Sequence, residues 1–194
     1  DYTRPALLEF FLPARDSHAA AYYDWGTEKE TQWKENYRLW MAFVNEYKNR
    51  GGRVTAGADS GYMYNLYGFG YIQELELLRE AGFHPMEVIQ SATLNAAEAI
   101  GMDDQIGTIE VGKLADMILM DQNPLKNLKY LYGTGDIKLN ETNEVVRVGG
   151  VNYTIKDGII YDARQLLEDV KKIVDEEKEA TPNWERLMIQ SIDR

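Results

Sequence analysis

The hydrophobic period of this chain changes at Gly101, and that change limits the folds open to it. Upstream, apolar residues recur at spacings of three and four. Trp33, Tyr37, Trp40, Met41, Val44 and Tyr47 share one face of a helix predicted over residues 28–49, which Gly51-Gly52 ends. A short strand is predicted over residues 53–58. A helix follows over 71–81, with Ile72, Leu75, Leu77 and Leu78 inward and Gly82 as terminator. A third helix starts at Pro85, places Glu87 in its first turn and runs to Gly101. A strand between helices is the order of an α/β layer or barrel. The opening stretch reads as loop, with a short strand over residues 7–12.

Downstream of Gly101 the pattern is β. Residues 106–110 alternate, 117–120 are wholly apolar, and 145–148, 153–156 and 159–161 read as further short strands. Lys156-Asp157-Gly158 predicts a hairpin, because Asp-Gly accepts the left-handed turn. A last helix begins at Asp162, which with Gln165 resembles a capping box. It is expected to bury Leu166, Val170, Ile173 and Val174 and to end at Thr181-Pro182. The tail beyond it carries Trp184, Leu187, Met188 and Ile189.

Composition removes several classes of function. Hydrophobic residues make up 44% of 194, enough for a packed core. The net charge of −11 is the wrong sign for phosphate-backbone binding, so no nucleic-acid partner is expected. The chain has no cysteine, and hence neither disulfides nor thiolate metal ligands. No apolar run approaches the roughly 18–20 residues of a membrane helix, so no membrane partner is expected either. Asp1-Tyr2-Thr3-Arg4-Pro5 resembles neither a signal peptide nor a start, and the chain is expected to be cut. Cytoplasm and periplasm stay equally open.

Two motifs fail on inspection. Gly107-Thr-Ile-Glu-Val-Gly112-Lys113 matches a phosphate loop until Leu114, where a magnesium-binding hydroxyl would be required, and it does not open a helix. Gly68-Phe-Gly70 lacks the third glycine of a dinucleotide fingerprint, since Gln73 stands there. A metal needs three or four converging ligands. The histidines are only His18, in a polar loop, and His84, at a helix start, where a capping or surface role suffices. Gly57-Ala58-Asp59-Ser60-Gly61 ends the predicted strand with a carboxylate. The residues alone leave two readings of Asp59 open: a catalytic group at the C-terminal end of a barrel strand, or a turn-shaping side chain.

Longer stretches carry a resemblance. Ser91-Ala-Thr-Leu-Asn-Ala-Ala-Glu-Ala-Ile-Gly101 and Ile106-Gly-Thr-Ile-Glu-Val-Gly-Lys-Leu-Ala-Asp-Met-Ile-Leu-Met-Asp121 resemble the closing region of the amidohydrolase superfamily. The similarity is nearest its imidazolonepropionase-like and Xaa-Pro-dipeptidase-like branch. Val54-Thr-Ala-Gly-Ala-Asp59-Ser-Gly61 is similar to that family's last barrel strand, and residues 151–161 to its final hairpin.

The resemblance implies an α/β fold, here the C-terminal fragment of a (β/α)8 TIM-like barrel followed by the C-terminal part of a small composite β-sandwich domain. The barrel part would span residues 1–104, the sandwich part 105–161, and a helix and tail 162–194. A whole barrel takes about 250 residues. The resemblance implies a metal-dependent hydrolase of C–N bonds (amide, cyclic amide or peptide), with a small-molecule or short-peptide substrate. Its cofactor would be a divalent metal, taken as zinc, with most ligands outside this chain. Asp59 would be both metal ligand and catalytic proton shuttle, while Ser60, Tyr62 and Tyr64 would line the substrate pocket. Lys113 and Asp116 match the family but sit in turns and read as structural. The chain alone is expected to be inactive without its missing N-terminal half or a complementing chain. The alternatives are a metal-free scaffold or oligomerisation module, for which the apolar tail suits a homo-oligomer contact, and an independent acidic binding domain.

Overall fold

The computed structural model describes residues 1–11, 15, 20–61 and 65–185. Helices α1 (Pro5–Phe11), α2 (Thr27–Asn49), α3 (Gly70–Glu80), α4 (Pro85–Ala92) and α5 (Leu94–Ala99) precede five short strands. These are β1 (Met117–Leu119), β2 (Asp136–Leu139), β3 (Val145–Val148), β4 (Tyr153–Lys156) and β5 (Ile159–Asp162), and helix α6 (Ala163–Ala180) follows. The architecture is mixed α/β.

The main core lies beneath α3 and α4. Leu75, Leu78, Phe83, Val88, Leu128 and Leu131 form its buried cluster, and Val44, Val54, Ala56, Ile72 and Met120 pack against it. Glycines end the helices as predicted: Gly51 and Gly82 both take positive φ, 88° and 106°, where a side chain would be strained. Helix α4 is set on α2 by a single carboxylate. Glu87 Oε2 accepts from the His84 backbone N–H at 2.7 Å and from Lys48 Nζ at 2.6 Å. The Lys48 ammonium, with the His84 amide, holds the Glu87 carboxyl below its usual range.

Several expectations are corrected. The opening strand over 7–12 is instead helix α1, because Pro5 presets the first helical turn and Leu7 and Leu8 N–H both reach Arg4 O, at 3.0 and 3.1 Å; residue 12 lies outside the described residues. Helix α1 lies on α6, with Arg4 paired to Glu177. The single helix from Pro85 to Gly101 is two. Thr93 breaks it with φ −127° and ψ −88°, and its hydroxyl donates to Ile89 O at 2.7 Å. Helix α2 has the predicted span but buries none of its residues; Trp40 is 63% exposed, and only Met41, Val44, Asn45 and Lys48 are half-covered. In α6, Val174 is fully buried while Leu166, Val170 and Ile173 are exposed. Asp162 caps that helix by accepting from Arg164 and Gln165 N–H at 3.0 and 3.1 Å. Trp184 lies under the Lys178 ammonium, 4.8 Å from its ring centre; Leu187, Met188 and Ile189 are outside the described residues.

The β region forms two sheets: antiparallel β1-β4-β5, and the antiparallel pair β2-β3. Residues 153–156 pair with 159–162 across the predicted Asp157-Gly158 turn, both residues left-handed at φ 50° and 77°. Asp116 pins that turn, accepting from Lys156 Nζ at 2.5 Å and Asp157 N–H at 2.7 Å. Residues 106–110 are not a strand. Gly107 and Gly112 take φ of 93° and 97°, and Lys113, its side chain 12% exposed, gathers the loop by donating to Asp103 O at 2.6 Å and Thr108 Oγ1 at 2.5 Å. The structural roles read for Lys113 and Asp116 agree with this geometry.

Strand β2 escaped the sequence reading because its pattern is inverted. Asp136 and Lys138 take the more covered side, where Asn127 Nδ2 donates to Asp136 at 2.7 Å and Lys138 Nζ to Tyr130 Oη at 2.6 Å, while Ile137 and Leu139 face out.

Truncating the core and truncating α2 should therefore differ. Leu75→Ala should cost about 2–5 kcal/mol, and Trp40→Ala within about 0.5 kcal/mol if its face stays exposed, both read by urea unfolding. A larger loss for Trp40→Ala in the intact natural protein would show that other polypeptide covers α2. The Glu87 contact stabilises at pH above the ordinary carboxylate range and is lost as pH falls through the lowered value. Glu87→Gln should accordingly flatten the acid limb of a melting-temperature profile below about pH 5 and leave the neutral-to-acid difference smaller than in wild type.

Candidate active site

Residues 53–58 run across the core without a paired strand among the described residues, so the expected strand is not formed as such. Its residues nevertheless alternate. Val54, Ala56 and Ala58 are half-buried, whereas Arg53, Thr55, Gly57 and Asp59 are exposed. An extended segment with one apolar face shows that period of two. With no neighbouring strand, its backbone is satisfied by helices and side chains. Ala56 N–H donates to Ser91 O at 3.1 Å, Asn95 Nδ2 to Val54 O at 2.9 Å, and the Gly57 amide to the Glu74 carboxylate. Burial pushes the Glu74 carboxyl above its usual range, against the pull of that amide.

Asp59 ends the segment in the left-handed region, at φ 48°. Aspartate tolerates this conformation better than most residues, and such backbone is concentrated at functional sites. Among the described residues no group pairs with its carboxylate, which is exposed. Ser60 follows, half-buried, its Oγ 3.5 Å from Asn65 Oδ1. Tyr62 and Tyr64 lie outside the described residues, as does His18. His84 caps α4, its amide bound by Glu87, as its sequence position predicts.

The sequence reading missed Asn65. Its Nδ2 donates to Ala58 O, and its own carbonyl accepts from Gly61 N–H at 2.7 Å, so one residue grips the turn on both sides of Asp59. Gly70 leaves it room: a Cβ there would meet the Asn65 amide oxygen and come within 2.8 Å of Ser60 Oγ. No local motif announces this contact, because it joins a loop residue to the end of the extended segment seven residues earlier.

Among the described residues the arrangement offers one carboxylate, that of Asp59, without a partner on this turn. That fits a single ligand position, but zinc takes three or four protein ligands. Among the described residues no group of three or more His, Cys, Asp or Glu is placed to hold a metal ion. Asp59 lines neither of two clefts formed by the described residues. A cleft of about 580 Å³ lies by Glu76, Arg79 and Lys126, and one of about 240 Å³ by Asp121, Asn152 and Arg164. No helix among the described residues is long and apolar enough to cross a membrane.

Comparison with known proteins adds a family. The model of the amidohydrolase family matches residues 40–160. An imidazolonepropionase from a Geobacillus species is 40% identical over 79 residues, 41% of this chain and 17% of that protein. A 5'-deoxyadenosine deaminase from Methanobrevibacter smithii is 30% identical over 121 residues, 57% of this chain and 26% of that protein. Among solved structures, a Xaa-Pro dipeptidase with bound methionine aligns over 66% of this chain and 25% of its own, at 27% identity and a TM-score of 0.47. The chain thus spans between 17% and 26% of the two curated relatives.

The left-handed backbone at position 59 is directly testable. Asp59→Ala should be less stable than Asp59→Gly by about 1 kcal/mol, measured by denaturant unfolding. Equal stabilities would mean that the turn does not take this conformation.

Proposed function

The chain belongs to the amidohydrolase family, and from that premise we propose that it is the C-terminal part of a metal-dependent hydrolase of C–N bonds. The observation that carries this reading is the place of Asp59, inside the matched span, at the end of an extended segment laid over the helices that follow it. In a barrel that end of the strand carries the catalytic groups. The proposal gives residues 1–104 to the barrel and 105–161 to the sandwich part, with 162–194 as a closing helix and tail. It places the substrate, a small amide, cyclic amide or short peptide, against Asp59, Ser60 and the loop that holds Tyr62 and Tyr64.

A divalent ion, zinc in this reading, would be held by Asp59 together with ligands outside the described residues. When bound, such an ion polarises a carbonyl and acidifies water. The part of this chain in the reaction is proton transfer. The Asp59 carboxylate accepts a proton from the attacking water and returns it to the departing nitrogen as the C–N bond breaks. That role needs an accessible carboxylate, and the exposure of Asp59, with no partner for its carboxylate among the described residues, supports the reading. A general base of this kind contributes about 10²–10⁴-fold to rate.

In the intact natural protein, Asp59→Asn keeps the side-chain shape and removes the base. Hydrolysis of an Xaa-Pro dipeptide or of imidazolonepropionate, whichever wild type turns over, should fall by about 10²–10⁴-fold. Unchanged turnover in that variant would end the assignment. A metal-free scaffold, the rival reading, predicts no turnover and no bound metal in wild type.

A further inference from the structure

We propose that Asn65 is the positioning residue of this site, the side chain that fixes where the Asp59 carboxylate points. The inference rests on the reading of Asp59 above. An aspartate in the left-handed region needs its turn determined by something else, since isolated residues leave that region readily. Three contacts bracket Asp59, on the residues before and after it, and all involve Asn65. Its amide nitrogen donates to the carbonyl of Ala58, the residue before Asp59. Its backbone carbonyl accepts from Gly61 N–H at 2.7 Å, two residues after. Its amide oxygen lies 3.5 Å from Ser60 Oγ, between those two anchors. The backbone flanking Asp59 is thereby tied to one half-buried residue, while the Asp59 carboxylate itself is tied to none of the described residues.

The helix behind maintains the clamp. Gly70, buried at the start of α3, has no side chain, and a Cβ there would strike the Asn65 amide oxygen and come within 2.8 Å of Asn65 Cγ. Asn65 is thus seated against the first turn of a helix whose Leu75 and Leu78 belong to the main core. The amide matters for its donor. Aspartate at this position has the same shape but would set a carboxylate oxygen against the Ala58 carbonyl oxygen, and alanine would leave the Ala58 carbonyl without this partner.

The test uses the intact natural protein and zinc ion alone, with affinity read by chelator competition and the melting temperature of the zinc-free form recorded in parallel. Asn65→Ala and Asn65→Asp should both weaken zinc binding by about 10- to 100-fold, the usual effect of losing a group that orients a metal ligand. Asn65→Gln, which keeps a donor, should recover part of the loss. A role in stability alone would lower the melting temperature and leave zinc affinity within about twofold of wild type, and that result would overturn the proposal. Failure of both Asn65→Ala and Asn65→Asp to fold would overturn it too, as the residue would then be structural. Asp59→Asn separates the two readings. Zinc affinity unchanged in Asp59→Asn removes the ligand role of Asp59. Zinc affinity lowered in Asp59→Asn but not in the Asn65 variants removes only the role of Asn65.

Discussion

Val54 and Ala56 packing on the α3–α4 core is the contact from which the rest of the site follows. A segment with a period of two has only one way to lie once its apolar side is committed. Here the committed side is the even one, so Arg53, Thr55 and Gly57 are turned outward and the chain arrives at Asp59 from that face. The hydrogen bonds to Ser91 O, Asn95 and Glu74 stand where strand partners would, and they hold the segment in register with the helices behind it. A shift of one residue would bury Thr55 and expose Val54.

The same economy of contacts governs the second half of the chain. Strands of three or four residues are too short to be stable by pairing alone. Charged side chains tie them together instead. Lys113 closes the loop before β1, Asp116 clamps the β4–β5 turn, and Lys138 with Tyr130 seats the β2–β3 pair. These are the residues of a scaffold, and none of them converges on Asp59.

How much of this was legible in the sequence depended on whether the signal was local. The spans of α2 and α3, the Asp157-Gly158 turn and the Asp162 cap rest on neighbours in sequence and were read correctly. Burial was not local. The apolar stripe of α2 and the outer residues of α6 have the spacing of a buried face, yet remain uncovered among the described residues. Inverted β2, the Thr93 break and the Pro5 helix start were missed because a side-chain contact or a single backbone preference overrode the pattern. For the site, the sequence marks Asp59 at the end of residues 53–58, and the family match at residues 40–160 spans it; its role is the proposal made above. Asn65 was invisible, since its importance lies in bonds to residues 58 and 61 across a loop.

The aromatic face of α2 and the Asp59 carboxylate are both exposed among the described residues, and the proposed function has further ligands meet at that carboxylate. An experimental structure of the intact natural protein, grown with zinc and collected at the zinc absorption edge, addresses this most directly. The account predicts a zinc peak with an Asp59 carboxylate oxygen at about 2.0–2.2 Å and histidine ligands from outside the described residues. A fully ligated metal centre that leaves Asp59 in solvent, or an intact protein with no metal near this turn, would contradict it.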